Sequence, residues 1–296
     1  MKNTYFFNEV LDRVNDSLPE GTNGILMKVT KNNGVVFNGI TIRNQDENIA
    51  PTIYLDGYKK DVEAGVSTID EIVSNIIRNY ENSKCINGAG DSFAWFSNYD
   101  EVKKKVVCRV VNAKLNRDIL NEIPYIPFLD LAITFCVMVS VSDKEDASIL
   151  VRNQHMEIWN ADEQELFSVA KENTKKLLPT EISSMASILS AMANEPVEEK
   201  DMGASMYVLT NRKKMNGGTA VLDAQSLAGL AEKVDDDLWL LPSSIHEWIA
   251  LPASSAVASD LETMIVEVNA TQLEPQEVLS DHPYFYSRND HKVMFS

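Results

Sequence analysis

Positive charge is scarce in this sequence. Its 296 residues hold 27 Lys and Arg against 44 Asp and Glu, a formal charge of -17 at pH 7. Such a balance repels phosphate backbones, so no nucleic acid is expected as a partner unless basic residues gather locally. Long apolar runs are missing as well. The longest uncharged stretch, Leu131 to Ser142 (LAITFCVMVSVS), is well short of the ~20 residues that span a bilayer, and no membrane partner is expected. The opening MKNTYFFNEVLDRV carries Glu9, Asp12 and Arg13 where an export signal would need an unbroken apolar core, which predicts a cytoplasmic protein. Cysteine is too sparse for a disulfide framework: Cys85, Cys108 and Cys136 are widely spaced, with no CxxC pair and no histidine at zinc-finger spacing. These are expected to be reduced, structural thiols, and neither metal nor cofactor is expected. Internal repeats, heptads and low-complexity tracts are lacking too.

What is present is a globular pattern, with 44% hydrophobic residues. Phe7, Val10, Leu11, Val14 and Leu18 share one helical face, and Pro19 and Gly21 end that helix. GILMKVT and VVFNGITI flank Asn33-Gly34, whose readiness for positive φ predicts an antiparallel hairpin. A third strand over Ile49 to Leu55 is broken by Pro51, which argues for an edge or irregular position. Next comes a strong helix with Ile69, Ile72, Val73, Ile76, Ile77 and Tyr80 in register, opened by a capping-box-like Ser67 and Asp70. VVCRVV reads as a strand, and Leu131 to Val141 as a strand buried on both faces. Later helices are expected at 162–177, after Pro179, at 223–234 and at 257–268, and strands at SMYVLT, GGTAVLD, DLWLLP and WIALP, with a closing hairpin in the tail. The fold class is α+β: a small antiparallel N-terminal sheet with helices, then a larger mixed or antiparallel sheet covered by helices. Two domains are expected, 1–120 and 121–296, the second carrying an acidic surface loop at 194–201.

Four stretches could carry chemistry. INGAGDSF, residues 86–93, resembles the glycine-rich turn and catalytic aspartate (here Asp91) of ribokinase-type kinases. It spans only about seven residues, stands in the first third of the chain, and lacks an apolar-periodic helix opening at Gly90. It therefore reads as a polar loop. LLPSSIHEW collects Ser243, Ser244, His246 and Glu247, the ingredients of a hydrolase relay. The same residues spell S-x-x-E, a capping box for one helical turn between strands, and HEWIA lacks the second histidine of a zinc protease. SDHPYFYSRNDH offers Asp281-His282 and Asp290-His291, where a carboxylate could orient an imidazole; solvated turns are the plainer reading. NRKKMNGG and VKKKVVCR are the dense basic patches, unaccompanied by stacking aromatics. No catalytic residue is assigned. The candidate binding residues are Ser243, Ser244, His246, Glu247, Asp281 and His282.

Several stretches together carry a resemblance: VTKNNGVVFNGITI with NIAPTIYL, FLDLAITFCV, and YVLTNRKKMNGGTAVL with LPSSIHEW. They resemble an uncharacterised family of bacterial proteins, classed as a domain of unknown function and frequent in gut Firmicutes; the late stretches also resemble a second uncharacterised bacterial family. The resemblance implies a cytoplasmic bacterial protein and transfers no catalytic residue. A strong fold signal, the acidic balance and the lack of a convergent set of catalytic groups favour a non-enzymatic binding or regulatory protein acting on a protein or peptide. The alternative is a hydrolase or small-ligand enzyme using His246, Glu247, Asp281 and His282. Oligomeric state is not legible in the sequence.

Overall fold

A computed structural model of the chain describes residues 3–44, 52–86, 94–140, 146–197 and 204–296. It is α+β, and its strands pair antiparallel in every register given. The chain divides into two compact units, Met1–Asn98 with Ser140–Asp146, and Tyr99–Val139 with Ala147–Ser296. The boundary expected near residue 120 falls within the second. The GAGD stretch at 88–91 lies outside the described residues.

The first unit holds α1 (Asn3–Ser17), β1 (Thr22–Thr30), β2 (Val36–Asn44), β3 (Thr52–Tyr54), α2 (Asp56–Glu63) and α3 (Ile69–Ile86). The strands form one sheet in the order β1-β2-β3, so the strand that follows Pro51 is an edge strand. Asn33 and Gly34 take φ of 59° and 72°, the left-handed backbone that the β1–β2 loop requires. The helical periodicities meet in one core, where Phe6, Val10, Val14, Ile40, Leu55, Ile72 and Ile76 lose all their exposure. Each such aliphatic or aromatic side chain contributes roughly 1.5–3 kcal/mol on burial. The cap of α3 lies one residue later than expected. Thr68 Oγ1 accepts from Glu71 N, and the Glu71 carboxylate accepts from Thr68 N at 2.8 Å, closing a T-x-x-E box.

The second unit begins with α4 (Tyr99–Val102), β4 (Val106–Asn112), α5 (Arg117–Leu120), β5 (Tyr125–Phe128), β6 (Leu131–Ser140) and β7 (Asp146–Leu150). Here β6 pairs with β4, β5 and β7. Leu131 through Met138 are all buried, as an apolar run flanked by strands and covered on both faces must be. The chain continues through α6 (Asn153–Trp159), α7 (Glu163–Leu177), β8 (Thr180–Ser184), α8 (Met185–Ala193), β9 (Tyr207–Asn211), α9 (Ala224–Val234), β10 (Leu238–Ser244), β11 (Glu247–Pro252), α10 (Ala258–Thr271), β12 (Tyr284–Ser287) and β13 (Lys292–Phe295). Six of these strands make a second sheet in the order β13-β12-β10-β11-β9-β8. Side chains of α7 close the open edge of β4. Asn173 Nδ2 donates to the carbonyls of Lys103 and Val106 at 2.7 and 2.9 Å, and Thr174 Oγ1 accepts from Cys108 N at 2.8 Å. Backbone groups that could recruit a foreign strand are thereby satisfied.

Two expected elements differ. The residues after Pro179 form β8 before the helix starts, because Thr180–Ser184 pair with β9 and Ser184 Oγ then caps α8 by accepting from Ser187 N. GGTAVLD is no strand: Gly217–Leu222 wind into a buried 3-10 turn. A Cβ on Gly217 would stand 2.0 Å from the His246 carbonyl oxygen and 2.4 Å from Thr210 Oγ1, so the backbone packs where no side chain fits.

Replacing Gly217 by alanine is expected to cost at least about 3 kcal/mol or to prevent folding, since backbone and not a flexible side chain blocks the methyl. Gly229 is the contrast: it lies inside α9 with nothing within 4 Å of an added Cβ. Gly229→Ala should stabilise by about 0.5–1 kcal/mol. Urea unfolding of both variants checks the pair.

Candidate functional site

The four residues of SSIHEW are set by a tight hairpin and not by a helical turn. Ser244 pairs with Glu247 across β10 and β11, leaving Ile245 and His246 as the turn. The S-x-x-E pattern is used differently from a capping box. Ser243 Oγ donates to Glu247 Oε1 at 3.0 Å, while Ser244 Oγ accepts from the backbone N–H of His246 at 3.0 Å. Neither hydroxyl is directed at the imidazole. The ring is held by Asn216, whose backbone N–H donates to His246 Nδ1 at 3.2 Å. The neutral ring therefore carries its proton on Nε2. Burial lowers the His246 pKa and the charge of Arg109 lowers it further, against the opposing influence of Glu277 and Glu247.

The hairpin tip is fixed by the segment that follows β9. Asn216 adopts φ of 53°, and Gly217 and Gly218 then run against the tip backbone. Gly218 N donates to Ile245 O at 3.0 Å, Thr210 Oγ1 to His246 O at 2.8 Å, and Trp248 Nε1 to Gly218 O at 2.7 Å.

Asp281 and His282 belong to a different network. Asn269 on α10 donates to Asp281 Oδ1 and to the Ser280 carbonyl, both at 2.9 Å. His282 lies 3.0 Å from the Pro283 carbonyl through Nδ1 and 3.0 Å from Asp130 Oδ2 through Nε2. Both partners are acceptors, so the ring serves both only as an imidazolium. Burial opposes that charge, but the Pro283 carbonyl and Asp130 outweigh it and raise the His282 pKa. The second oxygen of Asp130 accepts from Tyr284 Oη at 2.6 Å. The six sequence candidates thus fall into two groups: Ser243, Ser244, His246 and Glu247 at the hairpin tip, and Asp281 with His282 beside Asp130.

Sequence reasoning missed three participants. Asp130, in the turn between β5 and β6, is the carboxylate that His282 uses, and Tyr284 is its second donor; 152 residues separate Asp130 from His282. Arg109 follows the VKKK patch in sequence but does not belong to it. Lys103 and Lys104 pair with Asp100 and Glu101 at the surface, whereas Arg109 lies in β4 between buried Cys108 and Val110. Its legible signal was a lone charge inside an apolar strand. Burial raises the Cys108 thiol to about 12 and the Cys136 thiol to about 11, so neither of these two is a ready nucleophile. Among the described residues, no group of three or more His, Cys, Asp or Glu is placed to hold a metal ion, and no helix is long and apolar enough to cross a membrane.

The two histidines should act oppositely on stability. His282, with its raised folded pKa, contributes stability that is full below the unfolded value of ~6.5 and is lost as pH rises through the folded value. His246, with its lowered folded pKa, should destabilise as pH falls from ~6.5 towards that lower value. Because the Asp130–His282 pair is about a third exposed, its share is no more than about 1 kcal/mol. Denaturant unfolding across this range should show Asp130→Asn flattening the alkaline loss and His246→Gln flattening the acid loss.

No curated protein and no solved structure matches the chain. A family model does match, over residues 3–288. The chain belongs to that family, DUF5688, a family of unknown function.

Proposed function

We propose that this chain is a non-enzymatic binding protein of the cytoplasm, acting on a protein or peptide partner. One observation carries the reading: the groups that a hydrolase relay would need are already engaged in holding the fold. Ser243 donates to Glu247, Ser244 accepts from a backbone N–H, His246 Nδ1 accepts from Asn216, and Asp281 accepts from Asn269. A nucleophile needs a base within reach whose lone pair is free, and the structure supplies no Ser–His contact among these residues. Large apolar side chains stand in solvent on the helices instead, Met192 on α8 and Met264 and Val266 on α10 among them, and such surfaces suit a partner better than a reaction.

The hydrolase or small-ligand enzyme draws support from the Asp130–His282 pair, which orients an imidazole as a relay would. With the imidazole donating from both nitrogens, however, it has no lone pair to accept a proton.

Purified protein given chromogenic carboxylic esters, phosphoesters and peptide anilides should turn over none of them faster than the His246→Gln/His282→Gln double variant does. A rate ~100-fold above that variant, the scale of general acid–base catalysis, would overturn the binding reading.

A further inference from the structure

Arg109 occupies a position that structural requirements alone do not explain. Directly across the β4–β6 ladder from Arg109 is Thr134, and from Val107 is Cys136. Alternation along the strands therefore places Arg109, Val107, Thr134 and Cys136 on one face of the sheet. Leu178 and Met215 pack on that face, and Asn216 Nδ2 reaches Cys136 Sγ at 3.8 Å. Arg109 Nε is shut off from solvent and finds no acceptor. Among the described residues, no hydrogen bond or ion pair to this guanidinium is found, although the chain has 44 acidic side chains to offer. Burial depresses its pKa, and the Cys136 thiol is the influence opposing that.

Arg109 is half-buried, with its Nε enclosed; a guanidinium cannot shed its proton to escape such a site, and leaving the enclosed N–H unpaired is unfavourable. Two donors stand near this face. Asn216 offers its side-chain amide, and His246, close enough for the Arg109 charge to act on it, carries its free ring proton on Nε2. Ser148, which hydrogen-bonds Cys136, is exposed on β7, so this face of the sheet reaches solvent. The enclosed Arg109 Nε, the Asn216 amide and the His246 Nε2–H are all donors, which suits an anion, and the planar fork of arginine matches a carboxylate. The negative influence of Glu277 and Glu247 on His246 disfavours a second charge on the ligand.

We propose that Arg109, with Asn216 and His246, forms a binding site for a single carboxylate, at the face of β4 and β6 that meets the Asn216–Gly218 turn. The site deepens the binding reading and rests on it. The carboxylate is that of a small free acid or of a peptide C-terminus.

Thermal melts at constant ionic strength decide between these. The probes are short monocarboxylates, tetrapeptides with free or amidated C-termini, inorganic phosphate and sodium chloride. At roughly a hundred-fold excess over its Kd, a carboxylate probe should raise the midpoint by about 5 °C. A rise with monocarboxylates identifies a free acid, and a rise only with free-terminus peptides identifies a chain end. Arg109→Met should abolish the rise yet melt no lower than wild type without ligand, because it removes a charge that nothing in the fold pairs. Arg109→Lys, which keeps the charge and loses the fork, should bind roughly ten-fold more weakly. The proposal is overturned if no carboxylate shifts the midpoint, if chloride or phosphate matches the effect, if the rise survives in Arg109→Met, or if that variant melts well below wild type, which would make the arginine structural. Any of these leaves the binding reading standing unless ester, phosphoester or anilide turnover is also found.

Discussion

The contact between Gly217-Gly218 and the Ile245-His246 turn is the constraint on which the second unit depends. Backbone meets backbone there, with Gly218 N bonded to Ile245 O and no room for a Cβ at either glycine. The contact sets the rotation of the hairpin tip and delivers the Asn216 N–H to His246 Nδ1, which selects the tautomer. It also lets Trp248, wholly buried, satisfy its indole N–H on the Gly218 carbonyl. From the same turn the Asn216 side chain extends to Cys136 on β6. One glycine pair thus links the six-stranded sheet to the four-stranded one.

A second consequence concerns polar groups. In a strongly acidic chain, repulsion is limited where carboxylates find donors nearby, and this fold supplies them mostly from local structure. Asp162 and Asp223 each cap a helix, accepting from Glu165 N and Ser226 N. Arg288 after β12 pairs with Asp235 before the neighbouring strand β10, and its backbone N–H with Asp237. Surface pairs of this kind contribute little individually, typically below about 1 kcal/mol. In a chain with 44 acidic side chains, a half-buried arginine whose enclosed Nε finds no acceptor stands out.

Much of the fold was legible. The apolar stripes of α1, α3, α9 and α10 repeat every three to four residues, and the uncharged run of β6 could only be an interior strand. Asn33-Gly34 announced its hairpin by conformational freedom alone. Legibility failed where tertiary contact overrode local preference. GGTAVLD has strand-like composition, but Gly217 must press against the His246 carbonyl, and a 3-10 turn does so where a strand would not. Thr180–Ser184 looked like a helix start because Pro179 suits one, yet β9 offered a free edge and pairing prevailed.

The site was less legible than the fold for a reason particular to chemistry. Ser243, Ser244, His246 and Glu247 invite a relay because they are adjacent in sequence, but across the two-residue turn Ser243 bonds Glu247 and Ser244 bonds the His246 backbone N–H, and neither hydroxyl bonds the imidazole. Productive pairings join distant segments, as Asp130 to His282 does, and no spacing rule anticipates them. A lone charge in a buried strand is different. VVCRVV sets a cation among apolar residues, and where its Nε is enclosed without an acceptor an anion beside it is favoured. When the fold provides none, the role passes to a ligand, and the residue that breaks the apolar pattern becomes the most informative one in the strand.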